Sequence, residues 1–329
     1  AGEIAEFVAT YGRQISCKIM APETLAVNDS YVTELNKSNV HPNFDIYGGH
    51  QYGGIQDGYK KLAEKGKEIW MTEYLINWNE NSGTTRNFDY AKDVFNFFRS
   101  INTCMLGDFN AWIHYAAKRY YGMLGDGQYG TSSGTVTKRG YVMAHFARFV
   151  TGMTRVEGDI SDAAFTPLEG SVYISQSGDT VVAVLINPSS EERQLTLDLP
   201  FYTLKGRMQS TTRTQNMLYT SLVQEAETCR PVVLVPSESV NTILFVRSRD
   251  RQVSDMKGSA VHFDRIDGLT PTKTAFGSAY KMSGKSVTLD HNNPIISKLT
   301  NAANGYLSLT DRYSQLVLEV KKLTSTLNY

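Results

Sequence analysis

A carboxylate closes the run Glu68-Ile69-Trp70-Met71-Thr72-Glu73. A short apolar run ending in an acid is how a buried strand of a parallel barrel presents its last side chain to an active-site mouth. Three other strand ends carry polar groups in the same way. Ala21-Pro22-Glu23 follows one, Gly49-His50-Gln51-Tyr52-Gly53-Gly54 another, and Tyr115 with Lys118-Arg119-Tyr120-Tyr121-Gly122 the last. Carboxylates, an imidazole and phenols at neighbouring strand ends are the groups of nucleophilic and acid–base catalysis. Each also has a plainer reading. Glu73 taken alone fits a solvated loop residue, His50 a turn histidine, and Arg119 serves equally well as a structural ion-pair partner.

The elements that must position these groups alternate along residues 1–150. Ile4, Phe7, Val8 and Tyr11 share one helical face. Residues 15–20 read as a strand stopped by Ala21-Pro22, and 44–47 as a second strand before Gly48-Gly49. A short helix over 59–64 ends at Gly66. Residues 69–72 form a third strand. Asp89 can cap a helix running to Met105, with Val94, Phe97, Phe98, Ile101 and Met105 as its apolar stripe. A fourth strand over 111–115 and a helix over 140–150 follow, the helix with Val142, Met143, Phe146 and Phe149 inward. This alternation predicts a parallel sheet with helices outside it. About four strand–helix units fit, where a complete (β/α)8 barrel has eight.

After Glu157 the texture changes to short β-type runs at 171–175, 181–186, 194–199, 204–208, 232–235 and 240–246. Ser177-Gly178-Asp179, Asn187-Pro188-Ser189-Ser190 and Pro236-Ser237 separate them, as in an antiparallel sandwich. Further β-like runs at 286–289 and 315–320 lie in a tail without an assigned role. The chain thus divides into 1–155, 156–249 and 250–329.

Lys plus Arg and Asp plus Glu both number 33 among 329 residues, so the net charge is zero. That argues against nucleic acid or an anionic membrane surface as the main partner. Cys17, Cys104 and Cys229 have no metal or disulfide spacing, and Cys17 and Cys104 are expected as small core residues. No run is long enough to span a membrane, and Ala1-Gly2-Glu3 opens no signal peptide; a processed product would open the same way. Asn28-Asp29-Ser30 and Asn36-Lys37-Ser38 match the glycosylation pattern, which recurs by chance. The 19 Tyr, 14 Phe and 3 Trp suit sugar stacking and equally a β-rich core.

Six segments, in order and spacing, resemble the glucuronoxylanase branch of glycoside hydrolase family 30. They are Met20-Ala21-Pro22-Glu23, Phe44-Asp45-Ile46-Tyr47-Gly48-Gly49-His50-Gln51-Tyr52-Gly53, Ile69-Trp70-Met71-Thr72-Glu73, Gly107-Asp108-Phe109-Asn110-Ala111-Trp112, Lys118-Arg119-Tyr120-Tyr121-Gly122, and the stretch from Thr137-Lys138-Arg139-Gly140 to Val150. The resemblance covers roughly residues 1 to 245. It implies the C-terminal half of a (β/α)8 TIM barrel, strands five to eight, followed by an antiparallel β-sandwich side domain. It further implies retaining hydrolysis of β-1,4-xylan or glucuronoxylan outside the cell or in the periplasm, without metal or cofactor.

In that resemblance Glu73 is the nucleophile, and retention needs a second carboxyl group about 5–5.5 Å away. His50 and Tyr52 line the sugar site, and a Tyr hydroxyl near Glu73 is expected to orient the carboxylate and hold it ionised. Tyr115 stacks on the sugar. Arg119 and Tyr121 bind the glucuronate branch, for which an Arg fork is suited. Trp78 and Tyr74 serve as sugar platforms or as packing residues. Three departures bear on activity. His114 stands where the family commonly has Trp. Leu75 and Trp78 replace the Tyr and Ser that complete the glucuronate clamp, so a more permissive xylanase is expected. The family's acid/base Glu lies in an Asn-Glu-Pro segment ahead of the helix with which this chain opens, and no Asn-Glu-Pro occurs here; Glu23, following a Pro at the next strand, is a poor substitute. The first half of the barrel is therefore expected to be absent from this chain, with self-association or a second polypeptide in its place. The alternative is a non-catalytic xylan-binding or scaffold protein.

Overall fold

The computed structural model describes residues 7, 10–11, 16–76, 89–158, 168–251, 259–262, 270–274, 277–281, 287–288, 305–310, 315–320 and 326–327. Two compact units divide the chain, residues 1–250 and 251–329.

The first unit opens with a four-stranded parallel sheet in the order β1 (Met20–Thr24), β2 (Ile46–Gly49), β3 (Glu68–Tyr74), β4 (Ala111–His114). Parallel neighbours need a crossover between them. The crossovers here carry α1 (Asp29–Leu35), α2 (Lys60–Ala63) and α3 (Phe97–Leu106). Asn28 caps α1 by accepting from Ser30 N–H at 2.9 Å. Gly66, at φ +84°, supplies the left-handed turn after α2. A π-helical turn, Ala91–Asn96, leads into α3, and Asp93 reaches back to the Asp89 N–H at 2.8 Å. Val94, Phe97, Phe98 and Ile101 are buried, as their spacing predicts.

The first strand departs from expectation. It begins at Met20 and passes through Pro22, because β1 is an edge strand whose outer N–H groups need no ladder partner. Cys17 consequently lies outside the sheet and is exposed, whereas Cys104 is buried as expected. Ile4 and Val8 of the opening helix lie outside the described residues.

Helix α4 (Lys138–Ala147), capped by the Thr137 hydroxyl, leads into antiparallel strands. These are β5 (Thr154–Val156), β6 (Glu169–Ile174), β7 (Thr180–Asn187), β8 (Arg193–Thr196), β9 (Phe201–Thr211), β10 (Leu218–Thr228), β11 (Val232–Val235), β12 (Ser239–Val246) and β13 (Arg249–Asp250). The large sheet runs β10-β9-β12-β7-β6-β5, and β8 pairs separately with β11. Strand β10 has no apolar run to betray it, because most of its side chains are exposed at the sheet edge.

Both faces of the large sheet are covered. Val181, Ala183, Leu185, Ile243 and Phe245 meet Val233 and Val235 of β11. On the opposite face Val182, Val184, Ile186 and Val240 pack against Val94, Phe97, Phe98 and Ile101 of the α3 region and Val142 and Phe146 of α4. The change from parallel to antiparallel structure near residue 155 is thus spanned by a common core. In the second unit β14 (Ser259–His262), β18 (Gly305–Thr310) and β19 (Gln315–Val320) form one sheet. Strand β15 (Thr270–Thr274) pairs with β16 (Gly277–Lys281), and β17 (Val287–Thr288) with β20 (Thr326–Leu327).

Candidate active site

The C-terminal ends of β1, β2 and β3 bring three of the singled-out residues together. Tyr52 donates its hydroxyl to Glu73 Oε1 at 3.2 Å. Burial, and then the nearby Glu73 charge, push the Tyr52 pKa well above the usual phenol range, so it stays a donor. His50 Nδ1 faces the same Oε1 at 4.0 Å. Its Nε2 lies 2.9 Å from Glu23 Oε1. Glu73 is partly open to solvent, with its side chain 34% exposed, while the His50 side chain is 16% exposed. A carboxylate oriented by a phenol and flanked by an imidazole, yet accessible from one side, is suited to attack on a bound substrate.

Backbone geometry explains why the side chains converge. The β3–β4 register shifts between Met71 and Tyr74, so the ladder is broken where Glu73 leaves it. Gln51 N–H reaches Glu73 O at 3.4 Å, tying the loop that carries His50 and Tyr52 to β3. Trp112 Nε1 donates to Gln51 Oε1 at 3.4 Å from the β4 side.

The other candidates form a second, adjoining group. Tyr115 follows β4, joins β3 through its N–H to Tyr74 O at 3.1 Å, and is 49% exposed. Arg119 is exposed, with its guanidinium 5.9 Å from the centre of the buried Tyr121 ring. Tyr74 packs on Tyr52 at 5.4 Å and on Trp112 at 6.4 Å, so it backs the site as a packing residue. Trp78 lies outside the described residues.

His114 does structural work. It stacks on Trp112 with an interplanar angle of 18°. Its Nδ1 is 2.7 Å from Tyr74 O and its Nε2 3.2 Å from Tyr121 O. Burial lowers its pKa, so the neutral ring donates to one carbonyl only.

Two residues whose roles the sequence left unread complete the support. Glu23 holds His50, and the signal for it was the Pro22-Glu23 step opposite Gly48-Gly49. Arg139 lies almost fully buried on α4; it donates to Ile76 O at 2.6 Å, to Tyr121 O at 2.7 Å and to Asp93 Oδ1 at 2.7 Å. It thereby ties the segment after Glu73 and the Arg119–Tyr121 loop to the π-helical turn. No periodicity marks such a residue; only an arginine within an apolar helix hinted at it. Among the described residues, no group of three or more His, Cys, Asp or Glu side chains is arranged to hold a metal ion.

A glucuronoxylanase, XynC of Bacillus subtilis strain 168, is 34% identical to this chain over 198 residues, spanning 57% of this chain and 43% of that protein. A second curated Bacillus subtilis glucuronoxylanase is 34% identical over 201 residues, and the solved structures similar to this chain include family 30 xylanases. Among the latter, the GH30 endoxylanase of Clostridium papyrosolvens C71 has a TM-score of 0.61 at 24% identity over 74% of this chain and 60% of its own. The GH30 subfamily 8 xylanase Xyn30A of Clostridium acetobutylicum gives 0.60 at 25% identity, over 74% and 59%. No protein-family model matches the chain. The chain spans less than half the length of the curated relatives it matches. Those family 30 neighbours are TIM-barrel-type enzymes, and their mixed α/β and sheet content is like that of this chain.

Proposed function

We propose that this chain carries the nucleophile side of a retaining glycosidase that acts on β-1,4-xylan or glucuronoxylan. The observation that carries the reading is the Glu73 carboxylate at the end of β3, held by the Tyr52 hydroxyl at 3.2 Å and flanked by His50. In a retaining reaction that carboxylate attacks the anomeric carbon and forms a glycosyl ester, which water then cleaves. Tyr52 steadies the attacking oxygen, and Tyr115 offers an exposed ring for the face of a sugar. Arg119, backed by Tyr121, presents an exposed guanidinium to a uronate branch, although the exposed fork alone fits a preference rather than a strict requirement. The four parallel strands are read as strands five to eight of a (β/α)8 barrel over residues 1–155, the antiparallel layers of 156–249 as its side domain, and 250–329 as a β-rich extension. A polymeric substrate of this kind places the protein outside the cell or in the periplasm.

The test is release of reducing ends from glucuronoxylan by the full chain and by Glu73→Gln. Activity lost in the variant supports the reading; activity that survives the substitution removes Glu73 as nucleophile. Xylan binding without hydrolysis by either protein supports the alternative, a xylan-binding module.

A further inference from the structure

Glu23 has no part in the reaction just described, yet four features converge on it. The β1–β2 ladder pairs Pro22 with Gly48 and then Thr24 with Gly49, so Glu23 is an extra residue on the edge strand. Its φ is +63°, in the left-handed region that side-chain-bearing residues seldom occupy. A bulge beside a site re-aims a side chain out of the strand's alternation, and a strained backbone kept at a site accompanies function. The carboxylate also has a prepared cradle. A Cβ on Gly48 would stand 2.7 Å from Met20 Sδ and 2.9 Å from Glu23 Oε2, so a glycine is what leaves room for the acid beside β2. Finally, Glu23 Oε1 lies 2.9 Å from His50 Nε2, while the other ring nitrogen faces Glu73 at 4.0 Å.

We infer that Glu23 is a positioning residue that acts through His50 on Glu73. An ionised carboxylate only accepts hydrogen bonds, so the ring nitrogen facing Glu23 carries a proton. The partner of one imidazole nitrogen sets the tautomer and orientation presented by the other. With that proton held by Glu23, the neutral ring turns its acceptor nitrogen, Nδ1, toward Glu73 at 4.0 Å, where it makes no hydrogen bond and leaves Tyr52 as the donor to the carboxylate. The groups facing the ring are Glu23 from the β1 bulge, Tyr52 edge-on at 5.8 Å, and Glu73 from β3. Engagement with His50 also argues against Glu23 as a free proton donor to a leaving group.

The kinetic half of this inference rests on the glycosidase reading; the structural half does not. The experiment compares the full chain with Glu23→Ala and Glu23→Gln in two measurements. Long-range proton–nitrogen spectra of the histidine rings, with His50 assigned through His50→Gln, report the tautomer. The expected result is a proton on Nε2 in the parent chain, loss of that preference in Glu23→Ala, and its return in Glu23→Gln, whose amide oxygen still accepts. An unchanged His50 pattern in Glu23→Ala overturns the inference.

The second measurement follows covalent labelling by a 2,4-dinitrophenyl 2-deoxy-2-fluoro-β-xylobioside by intact mass. Its leaving group departs as the phenolate without general-acid help when Glu73 attacks the anomeric carbon. Labelling slower by about tenfold or more in Glu23→Ala is expected from a misplaced nucleophile. Unslowed labelling, with turnover restored by azide, would make Glu23 the acid/base instead and overturn the inference. If the parent chain is not labelled but the ring signature shifts as stated, the glycosidase reading fails and the positioning role stands.

Discussion

The parallel sheet and the antiparallel sheet treat their polar groups in opposite ways. In the parallel sheet the ladder is interrupted at the bulge that carries Glu23 and at the register shift that releases Glu73. Those interruptions bring acids and an imidazole together at an edge open to solvent. In the antiparallel sheet β12 pairs without a shift with both β7 and β9. Its buried polar groups are matched in place: His145 lies between the hydroxyls of Thr242 at 2.8 Å and Thr211 at 2.9 Å. The same residue type is therefore a reactive neighbour in one region and a core filler in the other. What separates them is whether the backbone keeps its register.

The comparison breaks most directly at Glu73. Glu73→Gln is expected to lower kcat by on the order of 10³-fold or more while leaving the thermal midpoint nearly unchanged, as calorimetry and a reducing-end assay can check. Next comes the junction of the two regions. Asp93→Ala leaves Arg139 buried without that partner and should lower stability by about 3–5 kcal/mol in urea denaturation.

His145 sharpens the contrast through pH. Burial pushes its pKa down to about 3, below the ordinary 6.5. The folded ring is therefore neutral where the unfolded one takes up a proton. Its contribution is fully present above pH 6.5 and is lost as pH falls toward 3, at about 1.4 kcal/mol per pH unit. His145→Gln should flatten the acid limb of the stability curve between those limits, in denaturant melts compared across pH. The smallest effect is Tyr52→Phe. Losing one hydrogen bond to Glu73 should cost about 10- to 100-fold in kcat, with little change in stability because Tyr52 is 38% exposed.

The helix faces were legible in the sequence because burial follows the 3.6-residue period. Val94, Phe97, Phe98 and Ile101 could be placed inward on spacing alone. Strand β10 was not legible, since an exposed edge strand has no apolar alternation to read. The start of β1 was misplaced for a related reason: a proline that ends an inner strand is harmless on an edge. Within the site, Glu73, His50 and Tyr52 stood out as polar groups at strand ends. Glu23 was marked by the Pro22-Glu23 step, but its hold on His50 depends on an extra residue in the ladder, which no linear pattern records.

By itself the sequence determined the inner faces of the helices, the turn from parallel to antiparallel structure, and the polar side chains at the ends of β2 and β3. Periodicity and turn chemistry are local, so they survive in one dimension. Only the tertiary structure decided that Arg139 would join Ile76, Tyr121 and Asp93, and that Glu23 would hold His50 beside Glu73. Those contacts join residues far apart along the chain, and their distances are fixed by register and packing rather than by spacing.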